Sequence, residues 1–240
     1  MCTVPIIGLP LAATTYAGAV EWVLEQAVSA DRAFAVEAAN THVAALSRHD
    51  PEFGETMSRF DLIVPDGMPL VWAINMRLPE GQKLTDRVYG PTLMLETLKA
   101  TQSRPEFRHF LLGGRDSTLE KLTGSFADRF PGAVIADVYS PPLGEWPEDE
   151  SERIAAKIRE SGANLIWVGM GCPKQEHWIA KHKNRLPPGV IRIPCGRGET
   201  IATVPAKDRH GVGLPRGHGT APPFQTLLHL QLSVCLPPHP

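Results

Sequence analysis

Apolar residues gather in short blocks separated by longer stretches of mixed character. Ala33–Ala39, Asp61–Val64, Phe107–Leu112, Ala133–Val138, Leu165–Val168 and Val190–Ile193 are compact runs bounded by Gly, Pro, Asn or Asp. Runs this short and this apolar predict buried strands. Val4–Ile7 reads as one more short strand or extended lead-in, followed by a turn and a helix near Ala17–Ser29. Between the runs lie helical patterns. One covers Thr41 to about Arg48. A second follows Asp50-Pro51, with Asp50 as cap and Pro51 at the first position. Others cover Met68–Asn75, Gly90 to about Thr101, a segment capped by Ser117 with Glu120 three residues on, Glu148–Ser161 closed by Gly162, and Pro173 to about Asn184. Arg77–Asp86 and Ser140–Pro147 read as loops.

Strands alternating with helices of this length predict an α/β fold with a mainly parallel sheet flanked by helices. In such sheets, ligands bind beyond the carboxyl ends of the strands. The glycines and polar residues collect there: Asn40-Thr41, Asp66-Gly67, Gly113-Gly114 and Gly169–Gly171.

Composition narrows the class. The 240 residues are 42% hydrophobic and 21% charged, with net charge −2, as in a soluble globular protein with no field that favours nucleic acid. Four dispersed cysteines form no C-x-x-C pair, so neither a disulfide framework nor a zinc site is expected, and a reducing cytosol is. The apolar start lacks a basic n-region, the first basic residue being Arg32, and Pro5, Gly8 and Pro10 interrupt it; neither a signal peptide nor a membrane span is expected. The charge changes along the chain. Residues 1–185 hold 19 basic and 24 acidic residues, whereas residues 186–240 hold 5 and 2, with 10 of the 23 prolines. We therefore expect an α/β domain over residues 1–194 and an irregular, Pro/Gly-rich tail over residues 195–240, with Phe224–Cys235 its most ordered part.

Each candidate site residue has two readings. Asp66, after an apolar strand and before Gly67, is a turn residue or a general base fixed on a rigid strand end. Asn40 and Thr41 cap a helix or hydrogen-bond a sugar. In Gly169-Met170-Gly171-Cys172-Pro173-Lys174-Gln175-Glu176, a strand, a glycine turn and a helix start follow one another. Free amides and a helix end suit a diphosphate, with charge from Lys174 and a hydrogen bond from Gln175, but tight βα turns need glycine anyway. Neither a dinucleotide fingerprint nor a Walker loop is present, which leaves an oxidoreductase a weak third choice. Arg87 is a surface arginine or a phosphate ligand. His42, His49, His177 and His182 lack ligand spacing and read as structural or exposed.

Taken in order, these motifs carry a resemblance. Asn40-Thr41-His42, the run Asp61–Gly67, Arg87–Gly90, Phe110–Gly114, Ser140–Pro142 and Val168–Glu176 resemble those of the bacterial WecG/TagA/CpsF glycosyltransferases over about residues 4–194. The resemblance implies a Rossmann-like α/β enzyme. It would move a hexose or an N-acetylhexosamine such as N-acetylmannosamine from a UDP-sugar to a polyprenyl-diphosphate-linked saccharide, in envelope or exopolysaccharide assembly. It further implies inversion at the anomeric carbon, with no metal and no cofactor. Asp66 matches the family's proposed base, with Asn40 and Thr41 beside it. Gly67, Arg87, Gly90, Gly113, Gly114, Gly169, Gly171, Pro173, Lys174, Gln175 and Glu176 fall on the substrate-binding segments. The implied location is cytoplasmic, at the inner face of the plasma membrane, with peripheral membrane contact and a homo-oligomer left open.

Two departures stand out. The family often has a threonine two positions before the matched asparagine, where this chain has Ala38. From Cys195 the chain also leaves the family's glycine-rich turn and basic helices. A reading-frame change near residues 192–196 and a divergent lineage both account for this. Weaker membrane attachment follows from either, and the alternative function is a nucleotide-sugar-binding remnant with little turnover.

Overall fold

The structure is a computed structural model that describes residues 1–192, apart from residues 30, 143, 145 and 148. Expectations for residues 193–240 lie outside the described residues. Thr3–Ile6 (β1) and Leu9–Ala12 (β2) form a hairpin, followed by Tyr16–Ser29 (α1) and Ala33–Ala39 (β3). Thr41–His49 (α2), Pro51–Ser58 (α3), Leu62–Pro65 (β4), Met68–Asn75 (α4) and Gly90–Thr101 (α5) come next. Arg108–Leu112 (β5), Asp116–Arg129 (α6), Val134–Tyr139 (β6) and Glu150–Ser161 (α7) follow. Leu165–Val168 (β7), Lys174–His182 (α8), a 3-10 turn over Lys183–Arg185 and Gly189–Arg192 (β8) complete the described chain.

The eight strands form one sheet in the order β1-β2-β4-β3-β8-β7-β5-β6. Every pairing is parallel except that of β1 with β2. The carboxyl ends of β2 to β8 therefore share one edge of the sheet. Helices cover both faces, which is why the strands read as unbroken apolar runs. Ala35, Ala39, Ile63, Ile166 and Ile191 pack with residues of α2, α3, α7 and α8. Val36, Ala38, Leu62, Val64 and Val190 pack on the other face with α1 and α5. Successive strand residues point to opposite faces, so Glu37 belongs to the α2, α3 and α8 side.

Four local expectations change. Leu9–Ala12 is a strand, where a turn leading to the helix near Ala17 was expected. Its prolines are tolerated because Pro5 and Pro10 oppose one another on the edge hairpin, where few ladder donors are needed. Ser117 does not cap α6: the helix begins at Asp116, and Arg115 in the cap position makes no side-chain bond. Asp116 instead places a carboxylate against the positive helix end. The helix expected from Glu148 begins at Glu150. Pro173 sits in the cap position before α8, outside its first turn, and α8 gives way to the 3-10 turn after His182. Asp50 caps α3 as expected, its Oδ1 accepting from the Glu52 and Phe53 amides, with Pro51 at the first position.

Candidate active site

Two groups of residues meet at the carboxyl edge. The first belongs to β3 and β4. Asn40 ends β3 and caps α2, its Oδ1 accepting from His42 N–H at 2.9 Å and Val43 N–H at 3.0 Å. Thr41 and His42 are exposed on the first turn of α2. Asp66 follows β4, buried at 5% exposure, and its N–H donates to Ala39 O at 2.8 Å. That bond fixes Asp66 against the end of β3. Gly67 caps α4 with extended backbone. The chain then returns to the same place: Val88 N–H donates to Pro65 O at 2.8 Å, and Arg87 Nη1 reaches Asp66 O at 3.5 Å. The Arg87 guanidinium lies 4.6 Å from the centre of the Tyr89 ring. Gly90, buried, opens α5. Tyr16 also belongs to this group, since its hydroxyl accepts from Tyr89 N–H at 3.0 Å. A tyrosine at a helix start carries no motif to announce that.

The second group belongs to β5, β6 and β7. Gly113 has φ 106°, and a Cβ there would lie 2.5 Å from Gly169 O. Only glycine lets these two turns touch. Gly113 N–H donates to Tyr139 O, and Ser140 Oγ donates to Gly114 O at 2.8 Å. The glycine turn after β7 is not the open amide cradle expected from sequence. Gly169 N–H donates to Leu112 O at 2.8 Å. Met170 N–H and Gly171 N–H both donate to Gln175 Oε1, at 3.2 and 3.0 Å. A buried glutamine side chain thus holds the position expected for a phosphate oxygen. Lys174 also differs from expectation: its Nζ donates to Gly144 O at 3.1 Å and lies 4.3 Å from the Trp146 ring centre, tying these two residues to α8. His177 bonds Thr56 at 3.0 Å, the structural role expected of it, and His42 and His49 are exposed.

Three carboxyls come near one another: Asp66, Glu176 at the start of α8, and Glu37 in the middle of β3. Glu37 and Glu176 are fully buried. Burial pushes Glu37 well above the usual carboxyl range, and Glu176 and Asp66 push it further. Burial also raises Glu176, against hydrogen bonds from Gln175 and Cys172. Glu37 was missed from sequence because it sits inside the apolar run Ala33–Ala39. The signal was there: one acid at an inward position of a strand covered on both faces.

Comparison with known proteins bears on what this edge belongs to. The sequence model of the Glycosyl transferase WecG/TagA/CpsF family matches residues 4–202. The chain belongs to that family. The match runs past residue 194, where the resemblance read from the motifs stopped. Similar curated proteins include the N-acetylglucosaminyldiphosphoundecaprenol N-acetyl-beta-D-mannosaminyltransferases of Staphylococcus aureus strains NCTC 8325 / PS 47, COL and MRSA252. Each is 31% identical over 167 residues, covering 70% of this chain and 59% of the relative. The chain thus matches about three-fifths of the length of these relatives. Among the described residues, no helix is long and apolar enough to cross a membrane.

Proposed function

We propose that the chain is an inverting glycosyltransferase. It transfers a hexose or N-acetylhexosamine, N-acetylmannosamine by analogy with the staphylococcal relatives, from a UDP-sugar to a polyprenyl-diphosphate-linked saccharide. The observation that carries this reading is Asp66: a buried carboxylate on a rigid strand end, bonded through its backbone to β3 and approached by Arg87. In a single displacement, Asp66 takes the proton of the acceptor hydroxyl. The hydroxyl oxygen bonds the anomeric carbon as the bond from that carbon to the UDP oxygen breaks. Arg87 offsets the charge that develops on UDP, joined by the Met170 and Gly171 amides once Gln175 releases them. Asn40 and Thr41, at the end of β3, face the sugar. A UDP-sugar donor together with a lipid-linked acceptor would put the work at the cytoplasmic face of a membrane.

The test is UDP release from UDP-N-acetylmannosamine and other UDP-sugars, with a lipid-diphosphate N-acetylglucosamine analogue as acceptor. We expect UDP release that depends on acceptor, and Asp66→Asn to cut turnover by ~10²-fold or more with UDP binding kept. Near-normal turnover in that variant removes Asp66 from the mechanism. UDP binding without release from any donor favours the binding-only alternative.

A further inference from the structure

The transferase reading assigns no task to Glu37, and gives buried Glu176 only a place on a substrate-binding segment. Neither oxygen of Glu37, nor Oε2 of Glu176, has a hydrogen-bond partner among the described residues. A buried polar group without a partner is costly, and a buried charge more so. The groups around the pair offer little relief. Asp66 approaches from the end of β4 and is itself an acid. On α8, His177 bonds Thr56 and lies close enough to favour an ionised Glu176; in the turn before it, Cys172 donates to Glu176. The ionisable side chains of α2 and α3 (His42, Arg48, His49, Glu52 and Glu55) are exposed. Buried Arg192 pairs through its backbone with Val36, so it points to the opposite face of the sheet, where its Nη1 reaches Thr97 at 3.3 Å.

Glu176 connects this acid cluster to the glycine turn. Its Oε1 accepts from Gln175 Nε2 at 3.2 Å, and Gln175 Oε1 in turn holds the amides of Met170 and Gly171. We propose that Glu37 and Glu176 form a proton-holding pair that keeps this turn closed around Gln175, with Glu37 as the positioning residue. The inference deepens the transferase reading and rests on it for the turn's place in the donor site. While Glu37 keeps its proton, Glu176 stays buried and Gln175 stays seated. Ionising Glu37 adds a charge beside two acids in a space of low dielectric, and like charges there repel strongly. Glu176, on the first turn of α8, is the member that can move outward. Its departure removes the partner of Gln175 Nε2 and frees the Met170 and Gly171 amides. Those are the donors that a diphosphate at a helix start would use.

Amide hydrogen exchange by NMR on the full chain, without nucleotide, tests this. Corrected for intrinsic base catalysis, protection of Met170 and Gly171 falls by about tenfold or more from about pH 6 to about pH 9, while Val168 keeps its protection. In Glu37→Gln the same two amides change by less than about twofold. Glu37→Leu carries the same comparison should the glutamine variant fail to fold. An equal fall in wild type and variant overturns the proposal, as does a flat profile in wild type. Calorimetry with UDP decides the donor-site reading separately, because the exchange result needs no bound nucleotide.

Discussion

Arg87 uses one guanidinium for two contacts, the Asp66 carbonyl and the Tyr89 ring, and stays half-buried while making them. Neither contact consumes its charge, so the cation remains available to a ligand at the same strand end. Arg87→Ala should therefore weaken UDP binding by roughly 1.5–3 kcal/mol, the scale of a hydrogen bond to a charged group. Calorimetry reads this directly, and unchanged affinity places Arg87 outside the donor pocket. Arg87 was singled out in the sequence by its motif and its position before a helix start, and the structure brings its guanidinium to the Asp66 carbonyl. Gln175 was legible as a residue to watch, but its hydrogen bonds were not: a sequence shows that an amide side chain is near a glycine turn, and cannot show that it already fills it. Glu37 was legible only as a lone acid inside an apolar run, and the patterning passed over it. Hydrophobic patterning averages over a run, and a lone acid inside one disappears into the strand it interrupts.

At the scale of elements, a closed polar chain ties α5 to β5 and β7. Trp167 Nε1–H can only donate, so His109 Nδ1, 3.0 Å away, accepts. His109 Nε2 then carries the proton and donates to Thr101 Oγ1 at 2.9 Å, and the Thr101 hydroxyl donates to Thr97 O at 2.9 Å. Both ring nitrogens are used by the neutral imidazole, and burial pulls His109 from 6.5 down to about 4. The sign for stability follows. Below the ordinary histidine range, the unfolded chain takes up a proton that the fold refuses. Stability therefore falls as pH drops from 6.5 to about 4. This one group contributes a slope of up to about 1.4 kcal/mol per pH unit. Urea midpoints at about pH 7 and about pH 4.5 should show that loss in wild type, and a smaller one in His109→Gln. Equal losses would mean that His109 takes no part in acid unfolding. The apolar runs made β3, β4, β5 and β7 plain in the sequence. The β1–β2 hairpin was not plain, because Pro5, Gly8 and Pro10 are breakers in isolation; that Pro5 lies on the edge strand and faces Pro10 across the hairpin is a property of the whole sheet.

Across the whole molecule, β4 joins two edges of opposite character. At its amino end, Asp61 accepts from Arg32 Nη2 at 2.8 Å, from Ala35 N–H at 2.8 Å and from Lys183 Nζ at 3.0 Å. Burial alone would raise Asp61, but these three donors outweigh it and hold the carboxyl below its usual range. At the carboxyl end, Asp66 stands beside Glu37 and Glu176. One aspartate is surrounded by donors; the other has a carboxyl for a neighbour. Folds tolerate such inconsistency where function needs it, and offset it elsewhere. The two aspartates should then separate stability from activity. Asp61→Asn removes the charge that Arg32 and Lys183 share, at a cost on the order of 2 kcal/mol, or about 4–8 °C in melting temperature. UDP affinity in that variant should stay within about twofold of wild type, because among the described residues Asp61 bonds Arg32, Ala35 and Lys183 and no candidate site residue. Asp66→Asn should do the reverse, sparing the melting temperature while turnover collapses. Thermal melts and UDP calorimetry on both variants decide the matter: a large loss of UDP affinity in Asp61→Asn, or a large fall in melting temperature in Asp66→Asn, would show that the two edges are not independent.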